Sequence, residues 1–539
     1  MDLHSLRIPF SNIVVASAFL WIAFGAQTSQ AQLAQNLMIG NAKALALGNA
    51  VTADPPGIDS IHFNPAGLSR LDGKQIHLKF ILADAQISAE FTPSEEYYTQ
   101  TEKLGQEDWV ANTNSEIESF AIYLPGEGIT EIPFAAAPLG GISFSPPGSR
   151  MTFATSVYAP MILGLTRADD DPGIYAGKSL AFTRITFFSP SMAYQLTDTL
   201  SVGASIGFSY TGFGLDLDYR SPSFLLGSVA TLLDSNCDNP GTDPLFIDLC
   251  SGSLGPFDAI FNLQVDVEKA VSTTFNFGVL WEVTPWLTWG FAYQSEANDL
   301  LEGDIAVNFD EDVIALWEGA GASFSALEPI LDALTLQDTI ESKGRINLVT
   351  PQHVSTGISV LLTPRVKFNV DVKWTETSVW DSFRFEFDED INILGLLGEL
   401  GISGVERNAL DIPRGYEDTI NWGYGLEYLY TDKLSLRMGY EPRKAGIPDD
   451  KLDFIIPLGD MDLYSVGFSY RPEAGTVIDV ALAYAQSHQS IPAGSSTNGN
   501  DFDGDGDNYD NFVYNPYALQ DVQSNLDIIM LELSYQAYY

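Results

Sequence analysis

Asp501, Asp503, Asp505, Gly506, Asp507 and Asp510 stand in an order that suits a hard cation. Asp-x-Asp-x-Asp-Gly places carboxylate oxygens at the first, third and fifth positions of a calcium loop, with the glycine turning the chain between them. The twelfth position is Phe512 instead of glutamate, so the full EF-hand set is incomplete. Two readings stay open: Ca²⁺ held by a long loop, or a solvated acidic loop. No other feature of the chain requires a cofactor. Gly203-Ala204-Ser205-Ile206-Gly207 matches the letters of a nucleophile elbow. That motif needs a sharp strand-to-helix turn, whereas Ser205 falls in the middle of a strictly alternating run. Beyond the first residues the histidines are His62, His77, His353 and His488, and no spacing pairs one with a serine. Enzymatic chemistry is therefore not expected. Cys237 and Cys250 bracket a turn-rich stretch containing Asn239-Pro240-Gly241, which predicts one loop-stapling disulfide in an oxidising compartment, with two unpaired thiols as the alternative.

The elements that carry these residues are strands. Val202, Ala204, Ile206, Phe208 and Tyr210 alternate with Ser201, Gly203, Ser205, Gly207 and Ser209. Val366, Phe368, Val370, Val372 and Trp374 alternate with Lys367, Asn369, Asp371 and Lys373, and the segment Ile420 to Tyr430 repeats the pattern. At the C-terminus Ile529, Leu531, Leu533, Tyr535, Ala537 and Tyr539 share one face. One greasy face and one mixed face, with aromatics near the ends, is what a lipid-embedded barrel strand needs, although a soluble sandwich shares the alternation. Connections decide between them. Tight turns near 146–149, 197–199, 284–285, 363–364, 431–433 and 472–475 alternate with long polar segments near 220–262, 310–344, 387–416, 445–459 and 489–522. Short turns on one rim and long loops on the other are the outer-membrane arrangement. The expected fold is all-β: a 14-stranded antiparallel transmembrane outer-membrane β-barrel, with Ile117 to Leu124 the least defined segment.

Arg7, the apolar run Ile13 to Ala26 and Ser29-Gln30-Ala31 fit a secretory signal over residues 1–31. The chain holds 71 Asp plus Glu against 26 Lys plus Arg, a net charge of −45, which excludes nucleic acid as a partner. Asp169–Asp171, Asp310–Asp312 and Asp388–Asp390 belong to the same acidic outer surface, able to share divalent cations with lipopolysaccharide. Residues 32–74 do not alternate. Ala42 to Ala50, Asp54-Pro55-Pro56-Gly57 and Asn64-Pro65-Ala66-Gly67 are small and turn-rich, and a wide barrel at 75–539 leaves a hole that such a segment can plug. The first strand is expected at about Gln75 to Phe91, and the third at about Arg150 to Pro160.

The run ALALGNAVTADPPGIDSIHFNPAGLSRL, residues 44–71, resembles the N-terminal hatch of the FadL long-chain fatty acid transporter family, where a small-residue stretch leads into Asn-Pro-Ala. KWTETSVWDSF (373–383) is similar to that family's aromatic and serine-rich strand end, and 436–470 to its late strand–loop–strand unit. The resemblance implies passive uptake of hydrophobic molecules at the bacterial outer membrane, chiefly long-chain fatty acids, with alkanes or monoaromatics in some members, by a monomer surrounded by lipid and lipopolysaccharide. It also implies a hatch that blocks the lumen and a kinked third strand that opens the wall sideways. On this chain the hatch signature falls on Asn64, Pro65, Ala66 and Gly67, a gate or a plain structural turn. Pro160, which cannot donate a ladder hydrogen bond, is the candidate for the lateral opening, with Pro190 its rival and a strand end the bland alternative. Lys367, Lys373 and Arg437 face the lumen by alternation and are candidates for a ligand carboxylate or ordinary inner-wall charges. A general porin would lack the hatch.

Overall fold

The computed structural model describes residues 39–104, 106–220, 222, 255, 257–316, 338–391, 405–454, 459–498, 515–517 and 519–539. Among these, fourteen antiparallel strands form one closed wall. They are β1 (Lys74–Pro93), β2 (Ala135–Phe144), β3 (Met151–Thr166), β4 (Ser179–Phe188 with Ser191–Gln195), β5 (Leu200–Tyr219), β6 (Phe261–Thr284) and β7 (Leu287–Gln294 with Ala297–Phe309). The second half is β8 (Thr339–Thr350 with His353–Thr363), β9 (Val366–Thr375 with Ser382–Phe387), β10 (Ala409–Pro413 with Thr419–Thr431), β11 (Leu434–Arg443), β12 (Met461–Tyr470), β13 (Thr476–Ile491) and β14 (Gln520–Tyr538). Each strand pairs with its sequence neighbour, and β1 closes on β14 from Gln75↔Tyr538 to Pro93↔Gln520. Closure of β1 on β14 leaves no open end to the sheet, the condition for satisfying wall amides at hydrocarbon depth within the protein.

The alternation read from the sequence sets the two faces. Phe80, Phe275, Leu482, Ile529, Leu533 and Tyr535 are exposed on the outer face, while their neighbours Lys79, Asn276, Ala481, Ala483 and Ser534 are buried in the lumen. The short turns lie where expected, between β2 and β3, β4 and β5, β6 and β7, β8 and β9, β10 and β11, and β12 and β13. No described helix is long and apolar enough to cross a membrane; crossing is by strands.

Residues 39–73 fill the lumen. A short helix (Ala42–Ala46), a 3₁₀ turn (Gly57–Asp59), a helical turn (Ser60–Phe63) and a second 3₁₀ segment (Pro65–Arg70) follow one another, almost all of them buried. Glycines on the inner wall make the room. A Cβ on Gly439 of β11 would lie 2.0 Å from the Gly48 amide nitrogen, and one on Gly203 of β5 would lie 2.3 Å from the Pro65 carbonyl carbon. Gly203 and Ser205 are thus parts of the hatch seat, with Ser205 Oγ donating to the Ile61 carbonyl at 3.1 Å.

Two strand expectations are refined. β3 runs past Pro160 to Thr166, because a bulge between Tyr158 and Met161 absorbs the proline and lets the strand continue. Residues 119–132 form a two-stranded hairpin (Ser119–Leu124 with Gly128–Ile132) that leaves the wall and lies across its outside. Its Tyr123 packs on Gly212 and Gly214, which alternate with the lumen-facing Thr211 and Leu215 and so point outward.

Candidate functional site

The Asn64–Gly67 signature is the joint between hatch and wall. Asn64 caps the 3₁₀ segment that follows, its Oδ1 accepting from the Ala66 amide at 3.1 Å, with Pro65 in the first position, where a missing N–H costs nothing. Its Nδ2 donates to the Thr52 carbonyl within the hatch at 2.8 Å and to the Val279 carbonyl of β6 at 3.0 Å. Asn64 is fully buried. Gly67 packs so closely that a Cβ there would sit 2.3 Å from Pro55 Cγ.

Around this joint the hatch is held by charge. Asp54 is reached by Lys43 at 3.0 Å, by Lys367 of β9 at 2.8 Å and by Arg70 at 3.8 Å. Asp59 is reached by Lys79 of β1 at 2.8 Å and His77 at 3.2 Å, accepts from Asn41 at 2.8 Å, and accepts from Ser156 of β3 at 3.3 Å. Burial alone would raise both hatch carboxyls, yet the cations beside them, Lys367 and Lys43 at Asp54 and Lys79 and His77 at Asp59, hold them below the usual carboxylate range. Asn49 donates to Glu441 of β11 at 2.9 Å, and the Thr52 amide donates to Asp371 of β9 at 2.8 Å. Hatch His62 packs at 5.2 Å between ring centroids against Tyr158, at the start of the β3 bulge, and burial pushes its imidazole down to about 4.

The wall itself is broken beside that bulge. The β2–β3 ladder runs only from Phe144↔Phe153 to Gly140↔Val157, while β2 stays paired to β1 up to Ala83↔Ala135. Pro160 lies within the Tyr158–Met161 register shift, immediately above the last β2–β3 pair. A second irregularity, between Thr186 and Phe188, precedes Pro190, whose carbonyl accepts from the Ile206 amide at 3.1 Å and so stays within the wall. Behind the β2–β3 break sits a chamber lined by Ala83, Ala85 and Ile87 of β1 and Leu526, Ile528 and Met530 of β14, with Ile162 and Leu163 of β3 and Met461 of β12 beside them. The outer hairpin contributes Phe120, Ala121 and Ile132. No lining side chain is charged or hydrogen-bonding. The same apolar cluster reaches down to Ala42, Leu45 and Ala46 of the hatch, so hatch and chamber share one core.

The three lumen cations face carboxylates. Lys367 reaches Asp54 at 2.8 Å and Glu427 at 3.8 Å, Lys373 reaches Glu441 at 2.6 Å, and Arg437 reaches Glu427 and Asp479, each at 2.6 Å. Asp501, Asp503, Asp505, Asp507, Asp510, Cys237 and Cys250 lie outside the described residues, as does the segment 1–38. Asp54 and Asp59 are not among the site residues expected from the sequence. The signal was available, since two acids sit in an otherwise small, apolar stretch that must be buried if it plugs a lumen.

The family described as "Outer membrane protein transport protein (OMPP1/FadL/TodX)" matches residues 19–512. A FadL homologue of Pseudomonas aeruginosa is similar in structure at a TM-score of 0.61 and 18% identity, covering 94% of this chain and 99% of that one. The toluene transporter TodX of Pseudomonas putida gives 0.59 at 15% identity, covering 94% and 100%. The toluene transporter TbuX of Ralstonia pickettii gives 0.56 at 16% identity, covering 94% and 99%. A curated protein of Neisseria meningitidis serogroup B, provisionally described as outer membrane protein NMB0088, is 22% identical over 258 residues, 48% of this chain and 49% of that protein. The chain thus spans about half the length of that curated relative. With the family matched across nearly its whole length and the barrel in place, the chain belongs to the OMPP1/FadL/TodX family of outer membrane transport proteins.

Proposed function

We propose that this protein carries long-chain fatty acids or related hydrophobic compounds passively across the outer membrane, releasing them sideways through the wall between β2 and β3. The observation that supports this most directly is the coincidence of the lapsed β2–β3 ladder with a chamber lined only by apolar side chains. An oily solute crosses lipopolysaccharide poorly and gains nothing from a water-filled pore, whereas an apolar path beside an interrupted wall offers it continuous burial. Residues 39–73 occupy the lumen below, which argues against free passage of small sugars as in a general porin. A second reading, uptake of monoaromatic hydrocarbons or alkanes, is favoured by the absence of any cation in the chamber lining and agrees with the similar fold of the toluene transporters TbuX and TodX.

The test compares labelled oleate, toluene and a small sugar in a strain lacking its own carrier. Oleate or toluene uptake supports the proposal, toluene without oleate selects the second reading, and sugar alone overturns both. Pro160→Ala, which restores an amide donor at the bulge, should lower uptake of the hydrophobic solute; unchanged uptake would remove the sideways exit.

A further inference from the structure

We propose that the chamber is a binding subsite for an uncharged apolar solute, and that the outer hairpin is its removable roof; the inference rests on the second, hydrocarbon reading above. The hairpin lies outside the barrel, where a connection between two wall strands would ordinarily stand up into solvent. Its inner face covers Gly164 of β3, Ala181 of β4 and Gly212 and Gly214 of β5, a smooth outward stripe where a Cβ on Gly212 would lie 2.2 Å from Tyr123 Cδ1. Tyr210, an outward residue of β5, is buried beneath it and stacks on Tyr123 at 6.5 Å. The position is therefore built into the wall by residue size.

The attachment is slight. The hairpin pairs with β3 at only two positions, Ser119↔Thr166 and Phe120↔Leu165. At its base Ser119 Oγ and Thr166 Oγ1 share a hydrogen bond of 2.6 Å, and towards the tip the Tyr123 amide donates to Thr183 Oγ1 at 3.0 Å, the Tyr123 hydroxyl to Asp266, and the Gly126 amide to Glu268 at 3.3 Å. Asp266 and Glu268 alternate with the lumen-facing Val265 and Val267 of β6, so the ties to these two carboxylates are on the outer surface, within reach of water, while the tie to Thr183 is buried.

Size then demands movement. The chamber holds about 60 Å³, whereas a cavity able to take a benzene ring is on the order of 150 Å³. The β1 and β14 sides are locked by nineteen consecutive pairs from Gln75↔Tyr538 to Pro93↔Gln520. Phe120, Ala121 and Ile132, on the weakly attached hairpin, are the lining residues free to give way. The lining also sets the ligand class: with no side-chain donor or cation to meet it, an ionised head group entering here would lose most of its hydration uncompensated.

The test ties the roof shut. A Cβ on Gly214 would lie 2.4 Å from Ile129 Cγ1, which brings the two Cβ atoms within disulfide range, so Ile129→Cys with Gly214→Cys is made in a chain whose Cys237 and Cys250 are changed to serine. Oxidation should lower dodecane and toluene uptake at least about tenfold and reduction should restore it; equal uptake in both states overturns the roof. In the reduced protein dodecane should pass at least about tenfold faster than dodecyl sulfonate; equal passage overturns the uncharged class. As a variant needing no new bond, Tyr123→Phe loosens the tip and should raise uptake severalfold, and unchanged uptake counts against the roof. If the unaltered chain moves no hydrophobic solute at all, the transport reading itself falls, a pattern distinct from uptake that merely ignores oxidation.

Discussion

The hatch seat and the apolar chamber above it are built from opposite chemistry. Below, the hatch meets the wall through buried, directional bonds: Asp59 to Lys79, Asp54 to Lys367, Asn64 to the Val279 carbonyl. Above, around Ala83, Leu526 and Met530, contacts are apolar and non-directional. Directional contacts define one seated position and fail abruptly when a partner is lost; apolar contacts tolerate a passing solute of varied shape. A plug that must stay put and a path that must not hold its cargo too tightly call for that division.

The comparison breaks most severely at Asp59. Asp59→Ala leaves the Lys79 ammonium, whose side chain is 0% exposed, without its hatch carboxylate, and the expected loss of hatch docking is about 3–5 kcal/mol. Hydrogen exchange of residues 39–73 reads it directly: protection should collapse there while β1 and β14 stay protected. Gly439→Val should come next. A side chain cannot coexist with Gly48 at 2.0 Å, and overpacking of this kind costs about 1–3 kcal/mol. Single-channel recording in planar bilayers should show openings absent from the unaltered protein.

Leu526→Asn probes the upper region. It places an amide in the apolar chamber, and at about 1–2 kcal/mol the lost partitioning corresponds to roughly tenfold slower uptake, with hatch protection unchanged. The smallest effect is expected from mild acidification, to about pH 6, where the linkage is under about 1 kcal/mol. The docked His62 imidazole is lowered to about 4, so below the ordinary value of about 6.5 a released hatch takes up a proton that the docked one does not. Docking therefore weakens as pH falls from about 6.5 towards 4, and weakens further below about 4 as the released Asp59, held low when docked, is protonated. Hatch exchange rates rising on acidification, while the wall stays protected, would check the sign; slower exchange at low pH would contradict it.

Much of this was legible along the chain. Alternation in Val202–Tyr210 and Val366–Trp374 identified the wall and its faces, and the short turns at 146–149 and 472–475 identified one rim. Asn64-Pro65 marked the hatch turn, and Pro160 marked the β3 irregularity. The inward glycines, Gly203 and Gly439, were visible only as the small half of an alternation; that they are the footprint of the hatch needed the hatch in place. Lys367, Lys373 and Arg437 were rightly placed on the inner face, but their carboxylate partners come from other strands and from the hatch, at separations that no spacing rule spans.

By itself the sequence determined which side chains meet lipid and which meet the lumen, because a strand's facing is a local property with a period of two. It also determined where the chain must turn and that a small-residue segment precedes the wall. The tertiary structure decided where the wall fails to pair and what covers the failure. Those depend on the register accumulated around fourteen strands and on the space left once the hatch is seated, so the outer hairpin at 119–132 emerges only from closure of the whole barrel.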